Sequence, residues 1–259
     1  MTECSNFLTS AYWKAACAEL KKPSRLALAA LFCALSVVVG GITINITVSV
    51  QIHFTFFIVA LGAAIYGPVC GMVVAAVADL LNYILFLSAY PYFPGYMISE
   101  MLVALLFGLL LYRQKITLSR LFIGKALMNF PINVGLGSLW SWMLYDKAYL
   151  YYFWEKMIKN TLLLPLEVMA LAAFFGLMIP ILARMRLLPA QEERELRRLR
   201  FGSSALPTLG MTSLVVALIG CYYAWVMATL ALWILAGFLL AAGIALLIAA
   251  AIINKKRTE

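Results

Sequence analysis

Charged and amide side chains that interrupt long apolar runs are the residues of this sequence best suited to chemistry. Asp79 and Asn82 are three residues apart, as are Lys156 and Lys159, so each pair can share one face of a helix. Carboxylate, amide and ammonium groups together suit recognition of a small polar ligand. Similar groups occur at Glu100, Lys125, Asn129, Asn133, Asn160 and Glu167. The alternative to ligand recognition, for any single asparagine, is a structural role in which its amide forms a hydrogen bond between two helices.

Catalysis has little support in the sequence. The only histidine is His53, and there is no HExxH motif, no nucleophile spaced with a base and no glycine-rich phosphate loop. Glu192-Glu193 followed by Arg197 matches the EExxxR of intramembrane CAAX-type proteases, but partner histidines are lacking. The cysteines are scattered without a CxxC pair. We therefore expect no enzyme, no cofactor and no metal, and keep the protease as the less favoured alternative.

The composition indicates the medium in which these polar groups lie. Of the 259 residues, 65% are apolar and 12% are charged, against roughly 45–50% and about 25% in soluble domains. About 20 apolar residues cross the hydrocarbon core of a bilayer. Polar groups inside such spans normally face a bundle interior or an aqueous cavity. A polar pocket within a helical bundle, open to the outside, is therefore the functional interpretation.

Apolar runs broken by turn residues and charge predict eight membrane spans. They lie near residues 25–45, 50–66, 68–88, 96–113, 119–145, 157–183, 209–229 and 231–253. The second and third meet at Gly67-Pro68, which predicts a tight connection. The predicted fold is an all-α integral membrane protein, with a six-helix bundle followed by a C-terminal two-helix hairpin.

This pattern divides the chain into four predicted parts. They are an N-terminal cytoplasmic or interfacial segment (1–24), a six-helix substrate-binding membrane domain (25–186), a charged cytoplasmic linker (187–208) and a terminal hairpin with a basic tail (209–259). For residues 1–24 the sequence fits two alternatives, a short interfacial helix and a disordered segment.

The net charge of +9 comes from residues at the ends of the apolar runs. If both termini are inside, only Lys147, Lys156 and Lys159 fall on the outer side, which agrees with the positive-inside rule. We therefore expect a multi-pass protein of a bacterial-type cytoplasmic membrane with both termini cytoplasmic, in contact with lipid and not with nucleic acid. Aromatic residues crowd the predicted outer loop around 145–156, which fits either an interfacial belt or a lid over a ligand.

Several motifs in order resemble the substrate-specific (S) components of energy-coupling factor (ECF) transporters. Tyr66-Gly-Pro-Val-Cys-Gly71 and Ala75-Ala-Val-Ala-Asp-Leu-Leu81 resemble the GP-x-x-G turn and the alanine-rich third helix with its acid. The loop Pro91-Tyr-Phe-Pro-Gly95, the stretch from Ser138 to Tyr145 and the run from Lys159 to Glu167 resemble the folate-specific branch. The similarity covers roughly residues 25–183.

The resemblance implies a six-helix body that captures folate or a reduced folate at its outer face. It also implies docking on a membrane-embedded coupling subunit, driven by two cytoplasmic ATPase subunits. Ala30-Leu-Phe-Cys-Ala34 resembles the family's AxxxA docking motif, and small residues four apart allow close helix approach. An ordinary alanine-rich helix is the alternative for that motif.

Under this resemblance the ligand site has three kinds of residue. Aromatic rings would stack on the heterocycle, amides would bind its polar edge and a lysine would meet a carboxylate. The candidates are Tyr92, Phe93, Trp140 and Tyr145, then Asn133 and Asn160, then Lys156 or Lys159, with Asp79 as a weaker candidate.

One departure keeps other substrates open. Folate-specific members usually carry an arginine after the first helix, where this chain has Gly40-Gly41-Ile42-Thr43. An S component for another small vitamin or a modified base is therefore the first alternative. A structural or assembly factor is a further one.

Overall fold

The computed structural model describes residues 10–45, 51–86, 92–145, 148–185, 187–188, 199, 201–227 and 230–256. Within these residues the chain is almost entirely helical. The helices are α1 (Ser10–Glu19), α2 (Pro23–Gly40), α3 (Thr55–Phe86), α4 (Pro94–Leu111), α5 (Leu118–Leu127), α6 (Gly137–Tyr145), α7 (Tyr149–Arg184), α8 (Phe201–Met227) and α9 (Leu230–Lys256). Two short strands are β1 (Thr43–Asn45) and β2 (Gln51–His53). The predicted helical fold class is confirmed.

Among the described residues, five helical segments are long and apolar enough to cross a membrane, which indicates a multi-pass membrane protein. They are Pro23–Gly40, Thr55–Phe86, Pro94–Leu111, Tyr149–Arg184 and Leu235–Ile253. A shorter apolar segment covers Ser203–Ile219 in α8. The predicted spans correspond to these segments and to the two halves of α3, except for the fifth (119–145), which is divided into three shorter helical segments. The sixth span begins earlier than predicted, at Tyr149, so the aromatic residues that follow it lie on the first turns of α7.

Helix α3 contains two predicted spans joined by a kink at Gly67. This residue has a φ of 84° and a ψ of 178°, a conformation that glycine adopts without strain. Pro68 follows and lacks a backbone N–H, so the helical hydrogen bonding is interrupted at the predicted place. Helix α4 packs closely on the kink, because a Cβ added to Gly108 would lie 2.5 Å from the Cα of Pro68.

Between α2 and α3 lies a β-hairpin that we did not predict. The pairing is antiparallel, with Thr43 opposite His53 and Asn45 opposite Gln51. The first span therefore ends at Gly40 and the second begins at Thr55, so the predicted bounds of 45 and 50 were wrong. The signal was present, since Ile and Val alternate with polar residues from Ile42 to Ile52. A period of two favours a strand.

The fifth predicted span is helical throughout but not uniformly α-helical. A π-helical segment, Met128–Leu136, joins α5 to α6 and contains Pro131. Proline removes a backbone donor and clashes with the preceding turn of an α-helix. The wider π-helical turn accommodates that defect. Asn129 and Asn133 lie on this segment.

The chain divides into two compact units. The first comprises Met1–Ile116, Ala126–Asn160 and Ile179–Ala190, and in it α3 packs on α1, α2 and α4 while α4 packs on the π segment and α6. The second comprises Thr117–Lys125, Thr161–Met178 and Gln191–Glu259, and in it α8 packs on α9.

The contact between α8 and α9 is close because small residues face each other. A Cβ added to Gly243 would lie 3.0 Å from the carbonyl oxygen of Gly210. Small residues allow two helix backbones to approach in a membrane. The predicted boundaries of the linker and of the terminal hairpin stay predictions, since most of the linker lies outside the described residues.

Candidate functional site

The segment that enters α4 brings Tyr92 to Asp79 on α3. The Tyr92 hydroxyl donates to Asp79 Oδ2 at 3.5 Å and lies 3.2 Å from Met97 Sδ. The rings of Tyr83 and Tyr92 are 5.1 Å apart. Burial and the charge of Asp79 raise the pKa of Tyr92, so its phenol keeps its proton and remains a hydrogen-bond donor.

Next to this pair, Phe93 contacts Trp140 of α6. Their ring centroids are 5.6 Å apart with the planes tilted by 60°, an edge-to-face arrangement that aromatic pairs favour. The indole Nε1 of Trp140 donates to Ser99 Oγ at 2.9 Å, which sets the orientation of the ring. A Cβ added to Gly95 would lie 2.8 Å from Trp140 Cδ2, so glycine allows this close approach.

Lys156 of α7 is half-buried and is held by α6. Its Nζ donates to the Gly137 carbonyl oxygen at 2.5 Å and to Ser141 Oγ at 2.7 Å. Ser141 is 2% exposed, and its hydroxyl donates to the carbonyl oxygen of Gly137 at 2.9 Å. In the described part of the chain no carboxylate lies within 4.0 Å of Lys156 Nζ. The ammonium has three donors and these two bonds use two of them.

Two asparagines adjoin Lys156. Asn160 is 2% exposed, and its Nδ2 donates to the carbonyl oxygen of Lys156 at 2.8 Å. Asn129 is fully buried, and its Nδ2 donates to the carbonyl oxygen of Asn160 at 3.5 Å. These bonds join the π segment to α7 and give each of the two buried amide nitrogens a hydrogen-bond partner.

The structure also locates the other predicted site residues on their helices. Asn133 is half-buried on the π segment and Lys159 is half-buried on α7. Tyr145 ends α6, and its side chain lies outside the described residues. The structure thus brings Tyr92 to Asp79, Phe93 to Trp140 and Lys156 to Asn160, while the use of all these residues in binding stays a prediction.

Two further polar groups at membrane depth neutralise each other within the second unit. Lys125 Nζ lies 3.3 Å from Glu167 Oε2, and the two side chains are 2% and 11% exposed. A buried ion pair of this kind avoids two isolated charges in a medium of low polarity. We therefore do not include either residue in the candidate ligand site.

The predicted docking residues lie on the outward face of α2. Ala30 and Ala34 are exposed, beside Leu31, which is 63% exposed. The opposite face of α2 is buried, with Phe32 at 8% exposure. The small residues are therefore accessible to another membrane helix, and their role in docking stays a prediction.

With this geometry in view, the chain can be compared with known proteins. Residues 24–188, well over half of the chain, match the family model of the ECF transporter substrate-specific component. The chain belongs to this family. The extent agrees with the predicted resemblance over roughly 25–183, which is confirmed.

Two curated relatives of this S component are named folate transporter FolT. The one from Clostridium novyi (strain NT) is 25% identical over 118 residues, covering 46% of this chain and 68% of the relative. The one from Leuconostoc mesenteroides is 29% identical over 147 residues, covering 54% of this chain and 78% of the relative. A crystal structure of FolT bound with folic acid matches with a TM-score of 0.54 and 27% identity, over 58% of this chain and 91% of that one.

Membership of this family decides between two predicted classes of protein, a transporter subunit and an intramembrane enzyme. The family is the substrate-specific component of a transporter and not an enzyme, so the expectation that the S component is not an enzyme is confirmed. Glu192, Glu193 and Arg197, which carried the protease alternative, lie outside the described residues. His53 is exposed in β2.

Sequence reasoning missed two residues of the S component that organise the site. Ser99 accepts a hydrogen bond from Trp140 of the aromatic pair, and Ser141 accepts one from Lys156. Hydroxyl groups inside apolar helices were a signal, because a buried hydroxyl needs a partner. Which partner each would find depended on the packing of α4, α6 and α7.

Proposed function

We propose that this S component captures folate or a reduced folate at its outer face and passes it inward with an ATP-driven coupling module. The observation that carries the proposal is the match to FolT bound with folic acid, which covers 91% of that chain at 27% identity. Two curated relatives with the same name support it. The aromatic and lysine side chains described above lie in the matched part of the family fold.

The flat heterocycle of folate would be bound by the aromatic side chains. Phe93 and Trp140 are both half-buried, and Trp140 is fixed by its bond to Ser99. A ring that is already oriented loses little conformational freedom when a ligand stacks on it. Tyr92 and Tyr145 would extend this surface, and Asp79 would act through Tyr92. Asn133 and Asn160 would bind the polar edge of the heterocycle.

The anionic end of folate would meet Lys156. Its ammonium is half-buried and donates hydrogen bonds to a carbonyl and a hydroxyl oxygen. A carboxylate would complement this charge through a short charge-assisted hydrogen bond. Lys159, one turn further along α7, would supply a second positive charge.

The exposed face of α2 with Ala30 and Ala34 would dock on the membrane-embedded coupling subunit, and two cytoplasmic ATPase subunits would drive the transfer. Both termini would then be cytoplasmic in a bacterial-type cytoplasmic membrane. The distribution of positive charge supports this orientation.

One observation favours a second candidate, an S component for another small vitamin or a modified base. No arginine occurs between residues 26 and 112 or between 121 and 183. A lysine is a point charge and lacks the planar fork with which arginine binds a carboxylate at two points. A ligand with fewer carboxylates than folate would suit this site.

A titration of the purified protein with folate separates these candidates. We expect nanomolar binding by calorimetry and quenching of the tryptophan fluorescence, since Trp140 lies in the site. Competition with a panel of vitamins and modified bases should leave folate or a reduced folate as the tightest ligand. If micromolar folate produces neither binding heat nor a fluorescence change, folate is excluded as the substrate. The family assignment would be unaffected.

A further inference from the structure

Helix α1 precedes the residues that match the family model, which begin at residue 24, yet it is firmly packed in the first unit. Tyr12 is 1% exposed and Ala16 is fully buried. Both contact Tyr112, the residue that follows α4, and the Tyr12 and Tyr112 rings are 5.7 Å apart. The Tyr12 hydroxyl donates to the carbonyl oxygen of Gly108 at 3.0 Å. Burial raises the pKa of Tyr12, so this donor keeps its proton.

The last residue of α1, Glu19, is a buried carboxylate that joins several helix ends. It is 3% exposed. Its oxygens lie 2.9 Å from Lys22 Nζ, 3.2 Å from Arg25 Nε and 3.6 Å from Arg113 Nη2. The Tyr112 hydroxyl donates to Oε1 at 3.4 Å. One acid therefore compensates three cations from α2 and from the end of α4.

Two details show that these contacts constrain the backbone. Arg113 has a φ of 57°, which is uncommon for a residue other than glycine. That conformation places its guanidinium 5.1 Å from the centre of the Tyr112 ring, within reach of Glu19. Arg25 donates to the carbonyl oxygen of Ile65 at 3.4 Å, just before the kink of α3. The ends of α1, α2, α4 and the first half of α3 thus meet at Glu19.

We propose that α1 is a clamp and that Glu19 is a positioning residue, required to transfer the captured substrate inward but not to capture it. The inference rests on the proposed function, in which α2 docks on the coupling subunit. Arg25 precedes Ala30 by five residues, about 7.5 Å along the helix axis. The carboxylate that holds Arg25 therefore fixes the base of the docking face relative to α3 and α4. A force applied to α2 by the coupling subunit then moves these helices together.

The candidate ligand site is distant from this clamp. Asp79 follows the kink at Gly67 by twelve residues, roughly 18 Å along α3. A substitution at Glu19 therefore removes no group that we assign to ligand binding. This separation allows transfer and capture to be measured independently.

The test replaces Glu19 with glutamine, which keeps the shape and removes the charge. We expect Glu19→Gln to lower vitamin uptake by the assembled transporter by about tenfold or more, since the half-buried Arg25 and two more exposed cations lose their buried partner. Folate binding by the purified variant should stay within about twofold of the unchanged protein, because roughly 18 Å separate the two regions. Lys14→Gln is the matched control, since Lys14 is exposed on the same helix.

A second substitution distinguishes the role of charge from a merely structural role. In the Glu19→Gln background, Arg113→Gln removes one of the uncompensated cations, and we expect part of the lost uptake to return. Tyr12→Phe is a milder variant that removes only the hydrogen bond to Gly108. We expect it to lower uptake by less than Glu19→Gln and to leave folate binding unchanged. It keeps the proposal testable if Glu19→Gln fails to fold.

Two outcomes would overturn the clamp. One is wild-type uptake by both Glu19→Gln and Tyr12→Phe. The other is loss of folate binding in proportion to uptake, which would mean that Glu19 only supports the fold of the whole unit. Failure of the proposed function is different, because the unsubstituted protein itself would then not bind folate.

Discussion

Lys156 of α7 and Ser141 of α6 form a 2.7 Å hydrogen bond that places a lysine ammonium against the residue that follows Trp140 on α6. Ser141 in turn donates to the carbonyl oxygen of Gly137 at 2.9 Å, so the position of the charge is set by α6 and α7. The site therefore combines a fixed cation with a fixed indole ring. That combination suits a flat ligand with an acidic group.

Replacing Lys156 with methionine is expected to weaken folate binding by about ten- to a hundredfold, the value of a hydrogen bond to a charged group. Lys156→Arg keeps the charge and should bind more tightly than Lys156→Met. Calorimetry on purified protein measures both. Equal affinities for the methionine and unsubstituted proteins would exclude Lys156 from the site.

Trp140→Phe is expected to reduce folate affinity by about tenfold, because it removes ring area and the bond to Ser99. Trp142 lies two residues further along α6 and is 48% exposed, so Trp142→Phe is the matched control and should bind as before. Fluorescence quenching by folate should be smaller in the Trp140 variant alone. Quenching that disappears in the Trp142 variant instead would place the ligand elsewhere.

The buried pair Lys125 and Glu167 gives a prediction about stability. Each single substitution to methionine removes one member of the ion pair and leaves the other charge buried, at a cost of about 3–5 kcal/mol in the free energy of unfolding. The double substitution leaves none and should be much milder than the sum of the two. Thermal unfolding in detergent measures this cycle. Additive losses would mean that the 3.3 Å contact contributes nothing.

Gly108→Ala tests the close contact between α4 and the kink of α3. The added Cβ would lie 2.5 Å from the backbone of Pro68, so the helices must separate, at a cost of about 1–3 kcal/mol for overpacking. Gly237→Ala in α9 is the control, because its added Cβ meets nothing within 4 Å. A lower unfolding temperature is expected only for the first variant. Equal unfolding temperatures would show that the contact can relax.

Much of the fold was predictable because its signals are local. Apolar runs located the spans, and Gly67-Pro68 located the kink in α3, since both depend on the residues themselves. The β-hairpin also has a local signal, because apolar and polar residues alternate from Ile42 to Ile52 with the period of a strand. We did not use this signal, so the hairpin was not predicted. The helix type inside the fifth span was harder to predict from the sequence, because a π-helical turn at Pro131 depends on packing against neighbouring helices.

The site was predictable as a set of residue types but not as an arrangement. The sequence alone determined that amides and charged groups interrupt the apolar spans or lie at their ends, because a polar group inside a bilayer costs enough free energy to be rare there. Tertiary structure alone decided that Lys125 pairs with Glu167 while Lys156 bonds Ser141 and Gly137. The physical reason is that the partner of a buried charge is the group that packing brings within about 3 Å, and packing joins residues far apart in the chain.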